Sequence, residues 1–392
     1  MRVLYDHQIF SMQKFGGISR YFYEILTRLQ KSKIIEVDHS VIYSSNEYLV
    51  DDKDFRVEQP YTYQSWFPKL KFKGKYRIFR LIQRAGFLPD PEARMKKEII
   101  GKIKNSNFDI FHPTYYSPYF LGTLQESGKP FVLTVHDLIY ELHPEYFYDA
   151  KEVIHNKKIL INEAAAIIVI SENTKKDLQK FYNIKESKIK VIYHGSSMIL
   201  KFARQESIFA ESKPEYLLFT GNRSHYKNFS FFLKSIRFLF QEFPKLSLYC
   251  VGGGSFQQDE IALIEELNLQ EKVKQFQIAN DEELAEYYRN ALLFVFPSRY
   301  EGFGIPLLEA FSCKTPVACS DTSSFPEVAG DAAFYFNPDS EESIRNCIRG
   351  AIVDPEKRKE KIQKGNLQIQ KFSWDKAASE TLEFYRSVLQ DK

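Results

Sequence analysis

The segment Pro297 to Phe311 reads PSRYEGFGIPLLEAF and directly follows the apolar run LLFVF, residues 292–296. An apolar run of this length predicts a buried strand, and Pro306 suits the first turn of a helix. The segment therefore predicts a strand, a loop and a helix in succession. Gly302 and Gly304 allow unusual backbone angles and close approach of a ligand in that loop. The free amides at the start of the helix would then hold a phosphate or a developing negative charge.

Apolar runs of strand length recur on both sides of this segment and alternate with helical segments. Continuous apolar strands between helices predict parallel sheets covered on both faces. In the first half these runs are Val3 to Tyr5, Val37 to Tyr43, Asp109 to His112, Phe131 to Val135, Ala166 to Ile170 and Lys190 to Tyr193. In the second half they are Tyr216 to Thr220, Leu246 to Val251, Leu292 to Phe296, Pro316 to Ser320 and Ala333 to Phe336.

The length of 392 residues exceeds what one hydrophobic core usually organises, so we expect two α/β domains that meet at a cleft. The stretch 195–214 contains Gly, Ser, Lys and Pro without strand periodicity, and it is the predicted linker. We therefore predict an N-terminal domain at 1–200, a C-terminal domain at 201–375 and a final helix at 376–392. Ligands of open α/β sheets bind beyond the carboxyl ends of the strands, so the motifs that follow strands should line the cleft.

Bulk composition argues against several classes of protein. The net charge of +3 is too small to indicate nucleic-acid binding. The N-terminus lacks the order of a signal peptide, and no apolar stretch approaches the roughly 20 residues that span a bilayer. The four cysteines show no CxxC spacing, which argues against a disulfide framework or a zinc site and favours a reducing, cytoplasmic compartment. The histidines also lack metal-binding spacing, so we predict no catalytic metal.

Two glutamates flank the glycines of the segment 297–311. Glu309 is predicted in the first turn of the helix, where its carboxylate can accept hydrogen bonds from a ribose diol, as acidic residues of Rossmann folds do. Glu301 lies upstream on the loop and can reach another part of a ligand, such as a sugar ring. The alternative is a surface loop with two solvated glutamates.

A second loop, GNRSHYKN at 221–228, follows the predicted strand YLLFT. Arg223 and Lys227 project from it, and two cations four residues apart suit a departing diphosphate. Solvated basic residues are the alternative. In the first half, FGGISR at 15–20 places Gly16 and Gly17 before a helical run that begins near Tyr21. Such a pair suits phosphate contact but is most often a turn, and without GxGxxG it argues against a nicotinamide enzyme.

A third loop carries a histidine directly after an apolar strand, in FVLTVHDL at 131–138. Histidine is the side chain most ready to exchange protons or to donate to a sugar hydroxyl near neutral pH, so His136 is a candidate catalytic residue. A structural histidine is the alternative. Asp137 either orients this histidine or caps the next helix.

The stretch SRYEGFGIPLLEAFSCKTPVACSDTSSFPEVAGDAAFYFNP, residues 298–338, resembles the donor loop of the retaining glycosyltransferases of family 4. In that family two glutamates separated by seven residues frame the donor site, as Glu301 and Glu309 are here. The pattern is most similar to bacterial-type mannosyl- and rhamnosyltransferases of glycan biosynthesis. The resemblance implies the GT-B fold, with two Rossmann-like domains facing a cleft and a last helix that crosses back to the N-terminal domain.

The resemblance also implies an activity: transfer of a hexose such as mannose, with retention, from a nucleoside diphosphate sugar to a glycan or lipid-linked acceptor. GDP- and UDP-sugars are the expected donors, and the donor is a substrate, so no cofactor is expected. By the resemblance the catalytic residues are His136, Glu301, Arg223 and Lys227. The expected donor-binding residues are Gly16, Gly17, Arg223, Lys227, Glu301, Gly302, Phe303, Gly304, Ile305 and Glu309.

One stretch departs from the family pattern. The family often has an aromatic residue, followed two residues on by a glycine, before a DEEL-like run, where the nucleotide base stacks or meets backbone amides. Here VKQFQIANDEEL at 273–284 carries Gln275 and Gln277 instead. We place the predicted base contact at Gln277 and Ile278.

The stretch from Trp66 to Arg84 interleaves basic and aromatic residues and contains no acidic residue. Such a segment can lie on an anionic membrane surface or near a lipid diphosphate acceptor. The residues predicted for this contact are Trp66, Lys69, Lys71, Lys73 and Lys75. A solvated basic helix and a subunit contact are the alternatives.

Two other functions fit the same two-domain plan. Sugar-nucleotide epimerases and glycan phosphorylases share it, and fold does not fix the reaction. A nonenzymatic partner subunit is the other alternative, but the presence of Glu301, His136 and Lys227 argues against it.

Overall fold

The computed structural model describes residues 1–196 and 215–390. Twelve strands in this part of the chain form parallel sheets. In the first half they are β1 (Arg2–Tyr5), β2 (Glu36–His39), β3 (Ile110–His112), β4 (Val132–Val135), β5 (Ala166–Val169) and β6 (Ile189–Val191). In the second half they are β7 (Tyr216–Thr220), β8 (Ser247–Val251), β9 (Val273–Phe276), β10 (Leu293–Phe296), β11 (Val317–Ser320) and β12 (Ala333–Phe336).

Helices separate these strands and cover the sheets. In the first half they are α1 (Gln8–Met12), α2 (Gly17–Ser32), α3 (Glu47–Val50), α4 (Lys75–Arg84), α5 (Pro91–Lys104), α6 (Leu121–Ser127), α7 (Ile139–Leu142), α8 (Ala150–Glu163) and α9 (Glu172–Tyr182). In the second half they are α10 (Phe229–Ile236), α11 (Leu239–Glu242), α12 (Gln258–Glu266), α13 (Asp281–Asn290), α14 (Ile305–Ser312), α15 (Phe325–Ala329), α16 (Glu341–Val353), α17 (Pro355–Gln368) and α18 (Trp374–Gln390). Short 3₁₀ turns lie at Pro144–Tyr146, Glu186–Lys188, His225–Lys227, Gly330–Ala332 and Ile369–Lys371.

The two sheets confirm the predicted α/β class. The order β2-β1-β3 continues into β4-β5-β6 through a single parallel bridge between Phe111 and Phe131. The second sheet has the order β12-β11-β10-β7-β8-β9. Strand β7 lies at its centre, and the strand order changes direction between β7 and β10. Every residue of the central strands β4, β5, β10 and β11 is buried, as a sheet covered on both faces requires.

Two edge strands differ from the sequence prediction. Strand β2 ends at His39 rather than Tyr43, because it pairs only with the short β1, whose last residue, Tyr5, pairs with His39. Strand β9 was not predicted at all. It reads VKQF and pairs only with β8, and the exposed Lys274 and partly buried Gln275 interrupt the apolar run that marks the other strands. Most of the predicted linker 195–214 lies outside the described residues.

Helix α18 packs on the first half of the chain, although it follows the second sheet. It begins at Trp374, and its buried face joins the core that contains β1 and α2. The hydroxyl of Tyr385 lies 2.6 Å from that of Tyr5 and 2.5 Å from Nδ1 of His112. A Cβ on Gly195 would lie 2.1 Å from the backbone nitrogen of Trp374, so only glycine allows the chain to approach the start of α18 this closely. The last helix therefore ties the two halves together.

Candidate functional site

Helix α14 begins where the sequence predicts, directly after the glycines of the loop. Gly304 caps it at φ 102°, a left-handed conformation that favours glycine. A Cβ on Gly304 would also lie 3.2 Å from Cδ1 of Leu307, which leaves little room for a side chain. Because the helix begins at Ile305, Glu309 is its fifth residue and lies in the second turn, whereas the sequence placed it in the first.

The N-terminus of α2 meets the N-terminus of α14. Gly16 caps α2, which begins at Gly17, four residues before the predicted start. A Cβ on Gly17 would lie 3.8 Å from Cδ1 of Ile305, so the first residues of the two helices lie close together. Helix N-termini carry free amides and a positive partial charge. Two such ends, one from each sheet, therefore form one place suited to an anion such as a diphosphate.

An ion pair joins the two predicted loops of the second half. Nζ of Lys227 lies 2.5 Å from Oε1 of Glu301, and both side chains are largely buried, at 16% and 15% exposed. The ammonium group also lies 5.5 Å from the ring centroid of Phe296. Lys227 ends a 3₁₀ turn after β7, and Glu301 follows β10, which neighbours β7 in the sheet. Lys227 and Glu301 are 74 residues apart in the sequence, and the fold brings them together at one edge of the sheet.

The backbone of Glu301 is held from the segment after β11. Its amide donates to Oγ of Ser323 at 3.0 Å, and its carbonyl accepts from the hydroxyls of Ser323 and Ser324 at 2.6 and 3.0 Å. Ser324 also donates to the carbonyl of Phe303. The buried ring of Phe303 packs 4.9 Å from the ring of His194, across the two halves of the chain. The loop that carries Glu301 is therefore held by contacts within the protein.

Arg223 has a different environment from the one that the sequence suggested. Its side chain is 2% exposed, and Nε donates to Oε1 of Glu260 at 2.9 Å. The other two nitrogens donate to the carbonyls of Gly252, Gly254 and Ser255 and to Glu260. All three guanidinium nitrogens are engaged within their own half of the chain. Arg223 therefore supports the loop after β8 and pairs with Glu260, whereas Lys227 pairs with Glu301.

Sequence reasoning missed the glycine loop that Arg223 holds. Residues 252–254 are three glycines directly after β8, and all three have positive φ. A Cβ on Gly253 would lie 2.2 Å from the carbonyl oxygen of Gly221, so this loop packs directly on the one that carries Arg223. A glycine triplet at the end of a predicted strand was the available signal.

His136 is buried against the loop of Glu301. Its ring lies 5.1 Å from Tyr21, 5.8 Å from Phe22 and 6.2 Å from His194, centroid to centroid. Burial lowers its pKa well below 6.5, and the neighbouring His194 lowers it further. Neither ring nitrogen has a hydrogen-bond partner among the described residues. The imidazole is therefore neutral and retains one N–H donor and one acceptor.

The structure favours one of the two roles that the sequence left open for Asp137. Oδ1 of Asp137 accepts at 3.1 Å from the amide of Ile139, the first residue of α7. Its carbonyl accepts from the buried Lys157 at 3.1 Å. No hydrogen bond joins Asp137 to the ring of His136, because neither ring nitrogen has a partner among residues 1–196 and 215–390. Asp137 therefore supports the start of α7.

Glu309 has a partner that the sequence prediction did not name. Oε1 of Glu309 accepts from Nη1 of Arg20 at 3.1 Å, and Oε2 accepts from the hydroxyl of Tyr288 at 3.1 Å. Burial raises the pKa of Glu309, and the charge of Arg20 opposes that rise. Arg20 belongs to the stretch FGGISR, three residues after Gly17, so its position on the same helix was the signal that could have found it.

The predicted base residues lie on the loop between β9 and α13. Gln277 is exposed, and Ile278 is half-buried against the core of the second half. Asp281, the first residue of α13, lies 3.2 Å from Nη2 of Arg20. The end of this loop is therefore linked to Glu309 through Arg20.

The basic segment forms a separate surface. Helix α4 begins only at Lys75, and its predecessors from Trp66 onward form turns. The ring of Trp66 packs 5.7 Å from that of Phe79, and Lys75 donates to the carbonyl of Phe67 at 3.0 Å. Lys69, Lys71 and Lys73 are exposed and Lys75 is half-buried, and exposed apolar side chains stand among them: Phe67, Leu70, Phe72, Tyr76, Ile78 and Leu81. Within residues 1–196 and 215–390, no helix has the length and apolar character needed to cross a bilayer.

Comparison with known proteins agrees with this architecture. Residues 15–197 match the family described as Glycosyltransferase Family 4, and residues 201–368 match Glycosyl transferases group 1. O-antigen chain mannosyltransferase B of Escherichia coli is 28% identical over 289 residues, which cover 71% of this chain and 74% of that protein.

Two solved structures are similar over almost the whole chain. Sucrose-phosphate synthase from Thermosynechococcus elongatus has a TM-score of 0.74 at 16% identity, covering 100% of both chains. HepE of Anabaena, solved in complex with UDP and glucose, has a TM-score of 0.72 at 17% identity, covering 99% of this chain and 100% of its own. At these identities the likeness shows the fold, which is GT-B. The two family matches, which follow one another along most of the sequence, show that the chain carries glycosyltransferase family 4 and group 1 domains.

Proposed function

We propose that this glycosyltransferase moves mannose or a similar hexose, with retention, from a GDP- or UDP-sugar to a glycan or lipid-linked acceptor. The observation that carries the proposal is the meeting of two helix N-termini, at Gly17 and Ile305. Helix ends stabilise a diphosphate by their free amides and positive partial charge. The Lys227–Glu301 pair adds a cation and a carboxylate at the carboxyl edge of β7 and β10, in the same half of the chain as Ile305.

The roles proposed for the individual side chains follow from their charges. Lys227 releases Glu301 when the donor enters, pairs with a phosphate oxygen and stabilises the negative charge that develops on the leaving group. Glu301 then accepts hydrogen bonds from hydroxyls of the donor sugar. Glu309 accepts from the ribose diol. His136 is neutral, so its one N–H can donate to a sugar hydroxyl without placing a second positive charge near the anomeric carbon.

In the proposed reaction the bond between the anomeric carbon and the diphosphate oxygen breaks. A bond to the acceptor oxygen forms on the same face of the sugar, and the departing phosphate takes the acceptor's proton. Because a diphosphate held by Lys227 and helix amides is a good leaving group, no protonating carboxylic acid of the glycosidase type is needed. We propose that these groups perform the charge neutralisation without a divalent cation.

The names of similar proteins guide the choice of donors to test. The Escherichia coli relative is a mannosyltransferase, which supports mannose as the first sugar to test. HepE was solved with UDP, so UDP-sugars belong in the same panel as GDP-sugars. The protein would be incubated with each nucleotide sugar, with and without lipid-linked acceptors, in the presence of EDTA. Nucleotide release that depends on the acceptor supports the proposal, and the anomeric configuration of the product by NMR decides retention. Release of an epimerised sugar nucleotide, or sugar phosphate formed with inorganic phosphate, would overturn it.

We also propose that the surface around α4 contacts anionic membrane on the cytoplasmic side. The support is chemical complementarity: exposed Phe67, Phe72 and Leu81 can enter the headgroup region while the neighbouring lysines and arginines pair with anionic lipids. A lipid-linked acceptor would be presented at such a surface. All four cysteines are free thiols, as a reducing compartment maintains.

Flotation with vesicles tests this contact. Serine at Lys69, Lys71, Lys73 and Lys75 is expected to abolish binding to vesicles rich in anionic lipid. Serine at four exposed lysines elsewhere, Lys151, Lys158, Lys234 and Lys245, removes the same charge and is the matched control. Equal binding by the two quadruple variants contradicts the membrane contact without affecting the proposed reaction.

A further inference from the structure

Arg20 crosses from one half of the chain to the other. It lies on α2, is 6% exposed, and its guanidinium points to two carboxylates of the second half. Nη1 lies 3.1 Å from Oε1 of Glu309 on α14, and Nη2 lies 3.2 Å from Oδ2 of Asp281 on α13. The planar fork of arginine can donate to two separate carboxylates at once, which the single ammonium group of lysine does less well.

The Glu309 carboxylate depends on such a partner. A buried carboxylate without a compensating charge takes up a proton, and a protonated acid has one oxygen committed as a donor. It then accepts hydrogen bonds from a diol poorly. Tyr288 donates to the second oxygen of Glu309 at 3.1 Å, but a neutral hydroxyl supplies no full charge.

The groups that face Glu309 come from four helices. Asp281 and Tyr288 lie on α13, Tyr48 on α3, Arg20 on α2 and Cys313 at the C-cap of α14. Burial raises the pKa of the Tyr288 hydroxyl and of the Cys313 thiol, so both are neutral near pH 7. Asp281 adds negative charge, which disfavours ionisation of Glu309. Of the five, Arg20 carries the positive charge.

We propose that Arg20 is a positioning residue of the donor site, which keeps Glu309 ionised and oriented toward the ribose and so makes nucleotide affinity depend on contact between the two halves. The inference rests on the proposed ribose role of Glu309. Arg20 contacts no reacting atom in this scheme. It acts through Glu309, and through Asp281 it fixes the start of α13 beside the predicted base loop.

The role can be separated from simple structural support by the pH dependence of nucleotide binding. Calorimetry with GDP and with UDP would be run between about pH 8 and about pH 5.5 on the full chain and on Arg20→Met. Without the guanidinium, the charge that opposes the effect of burial is gone, so the pKa of Glu309 rises further. Nucleotide affinity should then fall as the pH falls through this pKa. The expected loss approaches about tenfold for each pH unit below that pKa. The unaltered protein should show a much flatter profile.

Three further variants sharpen the test. Arg20→Lys retains the charge and should restore most of the flat profile while leaving affinity several-fold lower, because one ammonium group serves two carboxylates less well. Arg28→Met, also on α2, loses its pairs with Glu24 and Asp375 and should leave binding unchanged. Glu309→Gln tests the underlying ribose assignment.

The outcomes distinguish the two proposals. If Glu309→Gln binds nucleotide as tightly as the unaltered protein, the ribose assignment fails. If Glu309→Gln weakens binding but Arg20→Met matches the unaltered protein at every pH, the role of Arg20 alone is overturned. If Arg20→Met does not fold, Arg20→Lys decides between the outcomes. The proposal is contradicted if Arg20→Lys has the same nucleotide affinity and the same pH profile as the unaltered protein.

Discussion

The backbone carbonyl of His136 lies so close to Gly302 that a Cβ at Gly302 would be 1.9 Å from its oxygen. This contact joins the loop after β4, in the first sheet, to the loop after β10, in the second. It is reinforced by Ser171, whose hydroxyl donates to the carbonyl of Gly302 at 2.7 Å. The glycine therefore lets one half of the chain approach the other, in addition to any approach of a ligand.

Alanine at Gly302 should separate the two loops, because real Cβ atoms essentially never approach an oxygen this closely. We expect destabilisation of about 1–3 kcal/mol from overpacking and a larger relative loss of transferase activity. Thermal unfolding and nucleotide release measure the two effects. Gly350→Ala is the control, since it lies within α16 with open space around it and should keep or slightly raise stability. Normal activity in Gly302→Ala would show that this contact is dispensable.

Removal of the Lys227 charge should impair the chemical step. In Lys227→Met the leaving diphosphate loses its cation and Glu301 loses its partner, so kcat should fall about 10²–10³-fold. In the proposed reaction Lys227 acts on the leaving phosphate and Glu301 on the donor sugar, so the fold loss of the double variant with Glu301→Gln should approach the product of the two single losses. Steady-state kinetics with the identified donor check this. A double variant barely worse than Lys227→Met alone would contradict these separate roles.

Replacement of Arg223 by methionine should mainly lower the stability of the fold. Removing one member of the buried pair with Glu260 leaves a buried carboxylate and unpaired loop carbonyls, which costs about 3–5 kcal/mol. Urea unfolding measures this loss, and Arg349→Met, which breaks an exposed pair with Glu242, should cost much less. A stable Arg223→Met protein with greatly weakened nucleotide binding would restore the diphosphate role that the sequence suggested.

Buried histidines should make the protein sensitive to acid. Burial lowers the pKa of His112 and of His194 to about 3, and it lowers that of His136 well below 6.5. As the pH falls, the unfolded chain therefore takes up protons at these histidines at a higher pH than the folded protein does. Stability should be fully present above about pH 6.5 and fall as pH drops below it, by up to about 1.4 kcal/mol per pH unit for each group.

Phenylalanine at His194 tests this account. Neither ring nitrogen of His194 has a partner among the described residues, and its neighbours include Tyr21, Phe303 and Trp374. An apolar ring of similar shape should leave stability at pH 8 unchanged or higher. Below about pH 6.5, the slope of the unfolding free energy against pH should be smaller by the contribution of one proton. Denaturant unfolding at several pH values measures the slope. The exposed His155→Phe is the control, and a slope unaffected by His194→Phe would contradict the assignment.

The sequence predicted the fold and several site residues because they follow local rules. Buried parallel strands are continuous apolar runs, so all but the polar edge strand β9 were predicted. Gly304 and Pro306 specify the start of α14 through backbone conformation alone. The roles of Arg223 and Asp137 could not be read in this way, because the partner of each lies elsewhere in the chain or in the next helix.

What the sequence by itself determined is the framework: two α/β halves, the loops that end their strands, and the residue types on those loops. Periodicity and glycine placement encode these features locally. Only the tertiary structure decided which charges meet. It paired Lys227 with Glu301, turned Arg223 toward Glu260, and brought Arg20 onto Glu309 from 289 residues away. Ion pairing depends on distance and burial in three dimensions, and neither quantity is present in the order of residues along a chain.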